Sequence, residues 1–221
     1  MALNKLKFNS LNVTPAASEA IRFNSSANGL ETASAGGSLV KIASTTASSS
    51  SSISFTSGID STYKEYIFIL DNIHPATDNV SFQFNGTDDT SSHSFDITKT
   101  TTAFQAYHSE SDAEASFGYR SADDVAQGTG YHTLMNQVSN DADANIAGYL
   151  HLFDPSNTTF TKHFVARISG NNEDNHAQDG FSGGYFNTTA AITGLDFKFS
   201  SGNVDAGTIT LYGEPNGFKF L

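Results

Sequence analysis

The chain has 221 residues, 38% of them hydrophobic, and a formal net charge of −12 from 11 Lys and Arg against 23 Asp and Glu. Such a surface repels phosphate backbones, which argues against direct nucleic-acid binding. The absence of cysteine excludes a disulfide framework and any thiolate zinc site.

Residues 1–45 are polar and small, with isolated apolar positions at Leu11, Val13, Ile21, Phe23, Leu30, Leu39 and Ile42. Their spacing is too wide and irregular for an amphipathic helix or a long strand. Such a segment buries too little to offset its conformational entropy, so it reads as an arm that orders on a partner or a sister chain. The N-terminus lacks a continuous apolar run of the secretory kind. A Ser/Thr tract follows and reads as a linker over 46–54. The core-forming domain is expected over 55–221, where nearly all of the 18 Phe residues fall.

Beyond the tract the pattern is strands and turns. "YIFILDNI" places Tyr66, Phe68 and Leu70 on one face and Ile67 and Ile69 on the other, which suits a central strand. It is also the longest strongly apolar run and is too short to span a bilayer, so no membrane insertion is expected. "VSFQFNG" turns Val80, Phe82 and Phe84 inward. "NIAGYLHLFDP" and "FTKHFVARISG" form a predicted hairpin about Pro155 and Asn157, with Phe160, Phe164, Ala166 and Ile168 sharing a face with the Lys162 stem. "GLDFKFSSGNVDAGTITLYG" reads as a terminal hairpin, Leu195, Phe197 and Phe199 inward, then Ile209 and Leu211. Only "SADDVAQG" suggests a helical turn. Eight to ten short strands with Gly- and Asn-rich turns predict an all-β antiparallel sandwich, of jelly-roll type.

"GFSGG" at 180–184 fits G-x-S-x-G with Ser182 as nucleophile, but a nucleophile elbow needs an apolar strand before it and a helix after it. Gly183 and Gly184 therefore read as a turn or bulge. Asp141, Asp143 and Asn145 have D-x-D-x-N spacing, yet Ile146 and Leu152 stand where an EF-hand needs Gly and Glu. They and the Glu173, Asp174, Asp179 group read as solvated acidic loops, with a simpler calcium site as the alternative. None of the seven histidines pairs at the spacing of a local zinc site. The sequence predicts neither catalytic residues nor cofactor nor metal. His151 and His163 are expected opposite each other on an outward face with Tyr149 and Arg167. They make a polar cross-strand cluster or a saccharide-binding patch.

The arm "LNVTPAASEAIRFNSSANGLETASAGGSLVKIAS" resembles a segment of tailed-bacteriophage tail-fibre proteins. The resemblance is carried by Thr14, Pro15, Ala16 and Ala17, then Ile21, Phe23 and Asn24, then Gly29 and Leu30. "YIFILDNIHPATD", "HLFDPSNTTFTKHF" and "GTITLYG" resemble small structural proteins of marine phages. The resemblance implies a non-enzymatic virion protein, often a homotrimer, with other virion proteins of tail or capsid as partners. On it, Val13, Pro15, Ile21, Phe23 and Leu30 anchor the arm, and the body serves host attachment, with a host-surface glycan as a further partner. A long repetitive shaft does not fit in 221 residues, which favours a short fibre, knob or tail-tip module. The alternatives are a capsid decoration protein gripping its neighbours by the arm, and a carbohydrate-binding domain.

Overall fold

A computed structural model describes residues 19–24, 26, 28–34 and 39–215. The chain divides into two units, one of residues 1–38 with those from Pro215 onward, the other from Leu39 to Glu214. In the first, β1 (Glu19–Phe23) and β2 (Leu30–Ser34) pair antiparallel, Phe23 opposite Leu30 and Ile21 opposite Thr32. Asn24 closes the turn, its backbone N–H donating to Gly29 O and its Nδ2 to Asn28 Oδ1, both at 2.9 Å. Spacing that argues against one long strand is thus met by two strands of five residues. Ile21, Phe23 and Leu30 belong to this ribbon, whereas Val13 and Pro15 lie outside the described residues.

The second unit is an all-β antiparallel sandwich. Its strands are β3 (Val40–Thr46), β4 (Ile53–Phe55), β5 (Glu65–Pro75), β6 (Val80–Thr87), β7 (Lys99–Ser109), β8 (Ala115–Tyr119), β9 (His132–Val138), β10 (Ile146–Phe153), β11 (Lys162–Asn171), β12 (His176–Phe186), β13 (Gly194–Phe199) and β14 (Val204–Glu214). One sheet has eight strands in the order β3-β14-β5-β10-β11-β12-β7-β8 and the other four, β4-β13-β6-β9. Consecutive strands change sheet at every step except β7–β8 and the run β10–β11–β12.

Alternation decides what lies between the sheets. Tyr66, Phe68 and Leu70 of β5 meet Phe82 and Phe84 of β6 and Leu195, Phe197 and Phe199 of β13 in one buried cluster. Phe197 sits at its centre, its ring 5.3 Å from Phe68, 6.1 Å from Phe84, 6.2 Å from Phe82 and 6.5 Å from Phe55. Edge-on and offset arrangements of this kind add to area burial, so a modest hydrophobic fraction suffices for the core. Two lysines also turn inward. Lys162, Phe186 and Lys99 are cross-strand neighbours, and both lysines are buried. Lys99 Nζ donates to Ile97 O (3.0 Å) and Gly130 O (2.6 Å), Lys162 Nζ to Thr188 O (2.9 Å) and Phe160 O (3.2 Å). Each stem lines the core while its head caps loop carbonyls. Burial lowers the Lys99 ammonium to about 8.

Several expectations need correction. The body begins at Leu39, because β3 is an edge strand of the large sheet, paired with β14. The 46–54 tract is no free linker. Ala47 N donates to Gly207 O (2.8 Å), Ser50 bridges Val204, and Ala47 and Ile53 are buried. Small side chains let it lie flat along β14, and hydroxyl pairs such as Thr46–Thr208 (2.9 Å) satisfy it there. The terminal hairpin does not form: β13 pairs with β4 and β6, β14 with β3 and β5, in opposite sheets. Alternation shows which face is apolar but not which strand lies alongside. Phe160 precedes β11 and is exposed rather than sharing its inward face. "SADDVAQG" forms a hydrogen-bonded turn, Asp123 N to Arg120 O at 3.0 Å, without helix.

Candidate functional site

The large sheet turns one face to the core and the other outward, and the ladder registers place outward residues in rows across the strands. One row runs Tyr149 (β10), Arg167 (β11), Phe181 (β12), Phe104 (β7), Tyr119 (β8). The next runs Ala147, Ser169, Asp179, Ala106, Phe117 over the same strands. Phe117 is 71% exposed and Tyr119 63%, while Phe104 and Tyr149 remain near 40%. Apolar rings standing free on a sheet whose other face already closes a full core form a patch of the kind found at interaction sites.

The rings are held in place. Phe181 and Phe104 stack at 4.9 Å and 8°, and Phe117 meets Phe104 edge-on at 5.7 Å. Arg167 lies over Phe181, its guanidinium carbon 4.8 Å from the ring centre. Its fork grips Asp179, with Nη2–Oδ2 at 2.7 Å and Nε–Oδ1 at 3.1 Å. Such a bidentate pair fixes orientation as well as charge, and the Asp179 hydrogen bond and charge raise the Arg167 pKa further.

Of the expected patch, Tyr149 and Arg167 are direct cross-strand neighbours. His151 and His163 are not: Val165 stands opposite His151. His151 instead contacts the Glu65 carboxylate and packs between Tyr149 (5.1 Å) and Phe153 (6.2 Å), whereas His163 leans on Tyr185 (5.9 Å). The hairpin register is two residues off from the expected facing pair, so the two rings stay on one face but do not stand opposite each other. Phe104, Phe117 and Phe181 join the patch without a sequence expectation, and Asp179, expected in an acidic loop with Glu173 and Asp174, lies within β12. The alternation in "KTTTAFQAYHS" marks Phe104 as outward, and Phe181 stands inside the G-x-S-x-G match beside Ser182.

Ser182 itself lies mid-strand in β12, buried, facing inward opposite Ala166 and Ala103. Gly183 and Gly184 form neither turn nor bulge. A Cβ at Gly184 would stand 2.6 Å from Thr100 O and 2.8 Å from the Phe164 ring, so close packing excludes a side chain there. Asp141, Asp143 and Asn145 lie in the loop before β10. Among the described residues no three His, Asp or Glu side chains gather in a group that could hold a metal ion.

Two concavities border the outward face. A polar cleft of about 540 Å³ opens between the β7–β8 and β11–β12 turns, lined by Ser109, Glu110, Glu114, Asp174 and His176. His176 is fixed there by stacking on Tyr107 at 5.0 Å and by Asn172. A shallower depression of about 210 Å³ lies on the sheet beside Asp179, where Ala106, Ser169, Ala177 and His108 line it. Comparison with protein-family models, curated proteins and solved structures finds no match.

Proposed function

We propose that this chain is a non-enzymatic attachment module of a virion, whose sandwich presents the outward face of the eight-stranded sheet to the surface it binds. The observation that carries the reading is the row of outward rings from Tyr149 to Tyr119, with Phe181, Phe104 and Phe117 braced against one another, on a face the core does not need. Enrichment of Tyr, Phe and Arg is what distinguishes the core of a recognition surface from ordinary exposed protein.

The strand order supports a finer reading. The sets β3-β14-β5-β10 and β4-β13-β6-β9 interleave as a jelly roll of two four-stranded sheets, and β11–β12 with β7–β8 are two inserted pairs that widen one of them. The row stands on β10 and those four inserted strands, so the insertions supply the face. Jelly rolls serve viral capsids and lectins alike, which fits the reading. The resemblance of residues 11–44 to tail-fibre segments supports the virion assignment. A two-stranded ribbon such as β1–β2 is marginal alone in water, which suits a segment completed by assembly, within a homotrimer or on a virion partner.

The test is immunogold labelling of intact phage particles with antibody raised against residues 60–213. Label at the tail supports attachment. Label spread over the head makes the chain a decoration protein, with the row as a contact between capsid neighbours. No label on particles overturns the virion reading.

A further inference from the structure

We infer that the depression between Phe117 and the Arg167–Asp179 pair is a subsite for one uncharged sugar ring, an inference that rests on the outward face being the attachment surface. Its floor is made of small residues, Ala106, Ala177 and Ser169, beside the row that carries Phe181 and Phe104. A gap of about 210 Å³ is below the roughly 300–1,000 Å³ of sites for drug-sized ligands, which limits the occupant to a single ring. Phe117 stands next to Ala106 in the same row and Phe104 lies edge-on to it at 5.7 Å, so flat apolar surface borders the gap. The C–H face of a pyranose is the complement of such a surface.

The polar groups of the lining suit hydroxyls. Asp179 and His108 line the gap with Ser169, supplying carboxylate acceptors, a histidine ring nitrogen besides the Nε2 that pairs with Asp112 (3.0 Å), and a hydroxyl that both donates and accepts. Charge selects among sugars. The cation on this part of the face, Arg167, is already forked onto Asp179, so the pair is close to neutral and offers no free countercharge to a uronate or sialate. A chain of net charge −12 adds repulsion to any anion.

The full chain is titrated with methyl glycosides of glucose, galactose, mannose and N-acetylglucosamine, and with glucuronic acid and sialic acid, while backbone amide NMR shifts are followed. At least one neutral sugar is expected to shift the amides of Ala106, Ser169, Ala177 and Asp179 with a dissociation constant of about 1–10 mM, the range for a ligand of so few atoms. Phe117→Ala and Asp179→Asn should each weaken it at least tenfold, and Tyr212→Phe, on the distant side of the sheet, should not. Shifts only with the acidic sugars, or none at these amides, overturn the inference. If these sugars leave the amides unmoved while ring-deleted variants still lose surface attachment, the subsite fails and the proposed function stands.

Discussion

The buried imidazole of His132 makes the sandwich acid-sensitive in a way that can be isolated. Its Nδ1 lies 3.1 Å from Asp123 O, an acceptor only, so that nitrogen carries the proton, with Thr101 Oγ1 also at 3.1 Å. Nε2 has no hydrogen-bond partner. The ring packs edge-on to Phe84 at 5.9 Å. Burial, with the Lys99 charge adding to it, lowers His132 from 6.5 to about 4. Above pH 6.5 neither folded nor unfolded chain protonates it, and its full contribution is present. Between pH 6.5 and 4 only the unfolded chain takes up the proton, so stability falls as pH falls; below 4 the loss is complete. At about 1.4 kcal/mol per tenfold change in proton affinity the whole loss is about 3 kcal/mol, of which about 2.5 kcal/mol falls between pH 7 and pH 4.5. His132→Asn keeps a donor toward Asp123 O and cannot titrate. Urea unfolding of both proteins at the two pH values cancels every other titrating group. The wild-type advantage should shrink by about 2.5 kcal/mol on acidification. An advantage unchanged between pH 7 and 4.5 refutes the reasoning.

Three further outcomes follow from the packing. Phe197→Ala empties the centre of the Phe cluster and should cost about 3–5 kcal/mol in urea unfolding. Gly184→Ala drives a Cβ against Thr100 O and Phe164, costing about 1–3 kcal/mol, whereas Gly118→Ala, with nothing within 4 Å, should be near neutral by the same assay. Glu214 stands opposite Glu65 across β5–β14, and the hydrogen bond to Glu65 raises its carboxyl to about 7. Its stabilising share is present below pH 4.5 and lost as pH rises through 7. A thermal melt series should therefore show Glu214→Gln losing less stability than wild type over that interval.

The alternation of apolar residues made the sandwich legible: Phe82, Phe84, Phe197 and Phe199 all turn inward as their spacing requires. What alternation cannot carry is adjacency. The stretch 194–213 has the hydrophobic pattern of a hairpin whether its strands lie side by side or face each other across a core, and they do the latter. The Ser/Thr tract is ambiguous for a related reason: composition typical of linkers also suits a segment whose hydroxyls pair along a strand, as Thr46 and Thr208 do at 2.9 Å. At the site, Tyr149 and Arg167 were readable from one predicted hairpin. Phe181, Phe104 and Phe117 join them only through the ordering β11-β12-β7-β8, a long-range arrangement that no local pattern encodes.

The central claim is that the outward rings make the contact. It is tested by measuring binding of the purified full chain to cells of the host bacterium that the proposed virion role implies, beside a Phe104→Ser, Phe117→Ser, Tyr119→Ser triple variant whose melting curve is first matched to wild type. The account predicts saturable binding by the wild type and at least a tenfold loss in the variant. Equal binding by the two proteins would place the contact elsewhere and contradict it.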